Sequence, residues 1–126
     1  MAMPTKLNLK HRVYTAYHAD LSTASSTYIG VVSRGKIISA QVTQIGAITT
    51  ADNALTVKIG TNASGTAVTG MSATQAFATS VAGFTTALAA PTALMHVSAG
   101  DNIELITDGA SSGTSPGVWT VVVQEY

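Results

Sequence analysis

The chain has 126 residues, and its six Lys and Arg balance six Asp and Glu, so the formal net charge is zero. This length allows one domain of ordinary size, and the zero net charge argues against double-stranded nucleic acid as the main partner. The absence of cysteine excludes disulfide frameworks, thiolate metal sites and cysteine nucleophiles.

The beginning of the chain predicts an extended basic arm. Lys6, Lys10 and Arg12 lie in a stretch that contains no acidic residue. Such an arm is able to reach an acidic neighbour, and a frayed terminus is the alternative interpretation. We therefore divide the chain into an arm, residues 1–12, and a folded domain, residues 13–126.

No part of the sequence predicts membrane insertion or secretion. The apolar stretches are all shorter than the roughly 18 residues that a membrane-spanning helix needs, and the first residues lack the apolar core of a secretory signal. We expect no membrane partner and synthesis in the cytoplasm, with release by lysis or assembly.

Short strands dominate the rest of the chain. The predicted strands are residues 12–18, 27–32, 36–45, 55–59, 102–105 and 118–123. In the third, Ile38, Ala40 and Val42 alternate with polar residues, which is the period of a half-buried strand. The last is apolar on both faces, so we expect it in the middle of a sheet or in an interface. Clusters of Gly, Asn, Asp and Ser separate these strands, and the pattern predicts an all-β fold, a single-domain sandwich of two sheets or a jelly roll.

Residues 71–90 fit this scheme less well. Four apolar residues recur there at spacings of 4, 3 and 4, as on one face of a helix; they are Phe77, Val81, Phe84 and Leu88. However, Gly83 and the Thr pairs weaken a helix, and no charged residue provides a solvated side. We predict two short strands around Gly83 and keep a helix as the alternative.

Charge is distributed unevenly along the chain. Residues 1–58 contain six basic and two acidic residues, 6 − 2 = +4, and residues 59–126 contain four acidic and no basic residues, 0 − 4 = −4. This asymmetry predicts either that charge sets the register between subunits or partners, or that folding mixes the two halves in space.

Two motifs resemble catalytic or nucleotide-binding sequences. Residues 30–36 have the spacing of a phosphate-binding loop, but Ile37 stands where the motif needs Ser or Thr. Ser111 and Ser115 lie in two overlapping G-x-S-x-G patterns, the turn that exposes a hydrolase serine between a strand and a helix. Since a strand follows here, we interpret both patterns as a flexible loop.

The remaining titratable residues predict local hydrogen bonds and turns. His18 and Asp20 share one face of a strand, and we expect a hydrogen bond between them rather than a general base. Asp52, Asp101 and Asp108 each adjoin Asn or Gly and are interpreted as turn formers, with calcium binding as the alternative. The three histidines lack metal-ligand spacing. The sequence therefore predicts no catalytic residue, no metal site and no cofactor.

The order of several short stretches resembles the small head decoration (cement) proteins of tailed bacteriophages. The stretches are 17–28 (YHADLSTASSTY), 34–37 (RGKI), 48–54 (ITTADNA), 55–59 (LTVKI), 97–105 (VSAGDNIEL) and 107–113 (TDGASSG). The resemblance implies a jelly-roll-type β-sandwich that assembles as a trimer on the outer face of the capsid, binds the major capsid protein and has no enzymatic activity. The basic arm lies outside the region of resemblance.

These observations lead to one main functional hypothesis and two alternatives. We expect a non-enzymatic virion protein that stabilises the phage head, and we expect Lys6, Lys10 and Arg12 to contact coat protein or a neighbouring subunit. The first alternative is another virion module, from a tail, spike or baseplate, that recognises a host glycan. The second is a hydrolase that uses Ser111 or Ser115.

Overall fold

The computed structural model describes residues 10–126, and the only regular elements in this range are β-strands and one short 3-10 helix, Phe77–Thr79. The strands are β1 (Lys10–His18), β2 (Ser25–Gly30), β3 (Gly35–Gln44), β4 (Asn53–Gly60), β5 (Thr66–Gln75), β6 (Thr85–Ala87), β7 (His96–Val97), β8 (Asn102–Thr107) and β9 (Gly117–Glu125). In this part of the chain, no helix has the length and apolar character needed to cross a bilayer. The all-β prediction is confirmed.

The strands form two antiparallel sheets that pack face to face. The larger sheet has the order β1-β9-β3-β6, with β7 also paired to β3, and the smaller sheet has the order β2-β8-β4-β5. Most connections cross from one sheet to the other, and together with these two strand orders they give the Greek-key topology of a jelly roll. The predicted jelly-roll-type β-sandwich is therefore the fold of the described residues.

The core lies between the sheets, and β9 contributes its centre. Trp119, Val121 and Val123 are fully buried, because β9 lies between β1 and β3 and points these side chains toward the smaller sheet. The prediction of a central position for this strand is confirmed. Leu55 of β4 and Leu105 of β8, in the smaller sheet, are equally buried and belong to the same hydrophobic core.

A β-bulge changes the inward face of β3. The register with β9 pairs Ile37 with Val123 and then Ser39 with Val122, so Ile38 is the extra residue. Ile37 is consequently buried and Ile38 only half-buried. The prediction that Ile38 shares a face with Ala40 and Val42 is wrong, because a bulge shifts the two-residue alternation by one position.

Residues 71–90 contain no α-helix, so the helical alternative is wrong. Strand β5 continues to Gln75, the 3-10 helix and a turn follow, and β6 begins at Thr85. Gly83 has φ of +86°, as the turn before β6 requires. The two-strand prediction therefore holds at both ends of the segment and fails in the middle, where the apolar residues remain exposed.

The predicted basic arm overlaps the first strand. Lys10 pairs with Glu125 and Arg12 with Val123, so both belong to β1 and to the sheet. Lys6 lies outside the described residues.

Candidate functional site

Asp20 organises the loop between β1 and β2. Its carboxylate accepts hydrogen bonds from the backbone N–H of Ser22 at 3.0 Å, the hydroxyl of Thr23 at 2.9 Å and the backbone N–H of Ser115 at 3.0 Å. The Ser22 hydroxyl also donates to it, and these bonds lower the pKa of Asp20 to about 2. The carboxylate therefore joins the β1–β2 loop to the β8–β9 loop by hydrogen bonds.

His18 is a buried residue of the same region. Trp119 Nε1 donates a hydrogen bond to His18 Nδ1 at 3.1 Å, so the ring proton lies on Nε2, which donates to Ser25 Oγ at 2.8 Å. Burial lowers the pKa of His18, against the opposing effect of the Asp20 charge. The predicted His18–Asp20 hydrogen bond is wrong: His18 bonds to Ser25 instead, and the Ser25 hydroxyl lies 2.7 Å from the backbone carbonyl oxygen of Thr23 and 3.2 Å from that of Asp20.

The two serines of the hydrolase alternative both donate to backbone carbonyls. Ser111 Oγ donates to Thr49 O, and Ser115 Oγ, which is fully buried, donates to Gly46 O at 2.6 Å. Their loop connects β8 to β9, so a strand follows it rather than the helix of a nucleophile elbow. Neither hydroxyl has a histidine as its hydrogen-bond partner.

Two of the three acids predicted to form turns do so, Asp101 and Asp108, whereas Asp52 binds the backbone of a segment 25 residues away. Asp52 accepts the backbone N–H of Phe77, Asp101 that of Ser98, and Asp108 those of Ala54 and Ala110. Within residues 10–126, no three His, Asp or Glu side chains come together as metal ligands.

Four cations lie at one end of the sandwich, where β1 and β3 begin and β9 ends. We call this the basic end; its cations are Lys10, Arg12, Arg34 and Lys36. Arg12 Nε donates to Glu125 Oε2 at 3.2 Å, and the Arg34 guanidinium lies 5.5 Å from the centre of the Tyr126 ring. Asp101 and Glu125 also lie here, so the described residues of this end have a net charge of 4 − 2 = +2. Two predicted site residues, Lys10 and Arg12, are thus brought together with two cations that the sequence did not single out.

The opposite end of the sandwich is acidic. It contains Asp20, Asp52 and Asp108, which border the ends of β1 and β8 and the start of β4, and no Lys or Arg of the described chain lies there. Folding does mix the two halves of the sequence, since Arg12 pairs with Glu125 and Lys58 lies opposite Glu104. However, it also creates a separation of charge along the strands that the sequence halves do not predict.

The outer face of the larger sheet carries no charged side chain over three successive rows. Side chains of β9 alternate between buried and half-exposed. Because residues paired across neighbouring strands point to the same side of a sheet, the half-exposed residues of β9 identify the outward-pointing residues of the strands beside it. We call this set the uncharged outer face: Val13, Thr15, Tyr17, Ser39, Gln41, Thr43, Thr85, Ala87, Val118, Thr120 and Val122. Val13 is 58% and Tyr17 62% exposed. This face offers an apolar and hydroxyl-rich surface whose burial desolvates no charge.

Comparison with known proteins identifies no family for this chain. No family model matches it, and no curated protein matches it. A solved chain described as "Structure of infectious bursal disease virus Gx strain" aligns with 93% of this chain at 16% sequence identity and a TM-score of 0.34. This chain spans 32% of that one, and a score this low supports no inference about function.

Proposed function

We propose that this chain is a structural protein of a virion, a capsid decoration protein of a tailed bacteriophage. It binds the outer face of the head as a trimer, contacts the major capsid protein and stabilises the coat lattice. A protein that binds only the assembled lattice stabilises that state by mass action, and this requires no chemistry of its own. The resemblance of the sequence to head decoration proteins supports this assignment.

The observation that carries the proposal is the uncharged outer face. Charged residues are depleted at the centres of protein interfaces, since each buried charge must be desolvated. Thr and Val also lose little side-chain entropy on burial compared with Lys or Glu. A sheet face that holds Val13, Tyr17 and Val122 among Thr residues is suited to docking on another protein.

The size of this face indicates that it supplies only part of the contact. The face is four strands wide, at about 4.8 Å per strand, and three rows long, with two residues of about 3.3 Å each per row. These dimensions correspond to an area of about 400 Å². A stable interface buries about 800 Å² per partner. We propose that Lys6, Lys10 and Arg12 add contacts with coat protein or with a neighbouring subunit.

The proposal includes no catalytic role, no cofactor and no nucleic-acid partner. The hydroxyls of Ser111 and Ser115 donate to backbone carbonyls, His18 accepts a hydrogen bond from Trp119 of β9, and Asp20 accepts one from Ser115 of the loop before β9. These side chains stabilise loops around the acidic end.

A charge placed in the uncharged outer face tests the proposal. Gln41 is exposed in the middle row of this face, and Thr56 is exposed on the outer surface of the smaller sheet. We expect the wild-type chain to co-sediment saturably with undecorated heads, and Gln41→Lys to weaken this binding at least about tenfold, because the new charge is desolvated on docking. The matched control Thr56→Lys should bind as the wild type does.

Two results contradict the proposal. One is the absence of wild-type binding to heads at several salt concentrations. The other is equal binding by both lysine variants, which would show that the uncharged outer face does not contact the lattice.

One observation favours the glycan-binding alternative. Tyr17 lies exposed beside a depression that is also lined by Thr23, Ser25 and Thr27, and an aromatic ring next to hydroxyl groups is suited to a sugar. That function predicts defined hits on a glycan array that Tyr17→Ala abolishes, together with no binding to heads.

A further inference from the structure

Both ends of the sandwich expose large apolar side chains among their charges. At the basic end these are Val32, Leu94 and Tyr126, which are 62%, 59% and 50% exposed. Of these, Tyr126 lies against Arg34, whose guanidinium is 5.5 Å from the centre of its ring. This end therefore combines apolar surface with positive charge.

The acidic end has a larger apolar cluster. It consists of Ile45, Phe77, Val81 and Phe84, from the end of β3 and the segment before β6. Backbone bonds between Gln44 and both Gly83 and Phe84 tie that segment to β3, so the cluster has a defined position. Asp52 accepts the Phe77 backbone N–H, which places a carboxylate at its border.

The two ends are far enough apart to act independently. Strand β1 runs the length of the sandwich with nine residues, which corresponds to about 27 Å. The Debye length at physiological ionic strength is about 8 Å. The charge of one end is therefore not neutralised by the other end of the same molecule.

We propose that copies of this chain associate end to end, with the basic end of one copy against the acidic end of the next. The contact pairs the Val32, Leu94 and Tyr126 surface with the Phe77, Val81 and Phe84 cluster, and it brings Arg34 and Lys36 toward Asp52. This inference rests on the self-association in the proposed function, but not on binding to a capsid.

Charge selects this arrangement over a symmetric one. The basic end has a net charge of +2, and the three aspartates give the acidic end a net charge of −3. A two-fold contact would place two identical ends against each other, so their like charges would repel. The opposite pairing is attractive and fixes direction. Contacts between two different surfaces propagate, and they close into a ring, such as a trimer, when the rotation between copies permits.

Two variants that each disable one end test the proposal. Arg34→Glu reverses a charge at the basic end, and Val81→Glu adds a charge to the apolar cluster at the acidic end; both side chains are exposed. Sedimentation velocity of the full-length wild type should show concentration-dependent association that weakens several-fold in high salt. Each variant alone should associate at least about tenfold more weakly, whereas Thr56→Lys should match the wild type.

A mixture of the variants gives the decisive result. Arg34→Glu keeps its acidic end and Val81→Glu keeps its basic end, so we expect a one-to-one dimer that grows no further. A wild type that remains monomeric at every concentration, or a mixture that forms no dimer, would overturn the inference. Head binding by a wild type that does not self-associate would reject this inference and the proposed trimer, but it would leave the proposed binding to the capsid intact. Self-association without head binding would reject the proposed binding to the capsid and leave this inference intact.

Discussion

Asp20 shows how one side chain can hold loops from distant parts of the chain. Its carboxylate joins Ser22 and Thr23, which follow it closely, to Ser115, which precedes β9. Because these donors stabilise the charged form, the pKa falls from 3.8 to about 2. The folded state therefore holds this proton less tightly than the unfolded chain does, and the stabilisation is present above pH 4 and is lost as the pH falls toward 2.

Asp20→Asn should remove this acid dependence. We expect the variant to be less stable than the wild type by about 1–2 kcal/mol at neutral pH, a value reduced for solvent screening, and the difference to shrink below pH 4. Denaturant unfolding between pH 2 and pH 7 measures it. Asp108→Asn, which retains an acceptor for Ala54 and Ala110, is the matched control; an equal effect of both substitutions would contradict the assignment.

The burial of His18 predicts a second loss of stability on acidification, which begins at a higher pH than the loss caused by Asp20. Burial lowers its pKa below 6.5, so the unfolded chain binds a proton near pH 6.5 that the folded state does not. Stability is complete above this pH and falls below it by at most about 1.4 kcal/mol per pH unit. In His18→Gln, the unfolding free energy should change less between pH 7 and pH 5 than in the wild type. Parallel curves for the two proteins would show that His18 is not the titrating group.

At the scale of elements, the loop between β8 and β9 depends on a glycine. Gly109 has φ of +65°, and a Cβ there would lie 1.8 Å from the backbone nitrogen of Ala24. Gly83 also has positive φ, +86°, but a Cβ there meets nothing within 4 Å. The two positions therefore share the same kind of backbone strain and differ in packing.

Alanine substitution at these glycines should separate strain from packing. Gly83→Ala should cost about 1 kcal/mol of unfolding free energy, the usual penalty for a non-glycine residue at positive φ. Gly109→Ala should cost several times more, because the loop must move away from Ala24. Thermal or denaturant unfolding of the two variants measures the difference, and equal costs would mean that the Gly109 loop is free to shift.

Elements with a clear sequence pattern could be predicted, and those altered by contacts from other strands could not. The double-faced apolar stretch around Trp119 correctly placed β9 in the centre of a sheet. The bulge at Ile38 was not predictable, because alternation along one strand contains no information about its partner's register. Similarly, Phe77, Val81 and Phe84 have helical spacing, yet they lie in a 3-10 turn and loop that hydrogen bonds to Gln44 hold against β3.

The surfaces of the whole molecule were the least predictable feature. The sequence identified Lys10 and Arg12, but their neighbours Arg34 and Lys36 are more than twenty residues away and join them only through the pairing of β1 and β3 with β9. The uncharged outer face is likewise assembled from four strands. Such surfaces depend on topology, which local patterns do not contain.

The proposed docking of the uncharged outer face also predicts how the whole molecule orients on a phage head. If the uncharged outer face lies against the coat, the long axis of the sandwich lies parallel to the capsid surface, and the basic and acidic ends point toward neighbouring copies. The same docking therefore leaves both ends available for contacts between subunits.

Cryo-electron microscopy of heads decorated with the purified chain tests this account most directly. The account predicts density on the outer surface of the head, with the sheet β1-β9-β3-β6 against the coat protein and Gln41 and Thr120 in the contact. Density in which the smaller sheet or one end of the sandwich contacts the coat, or heads that acquire no density, would contradict it.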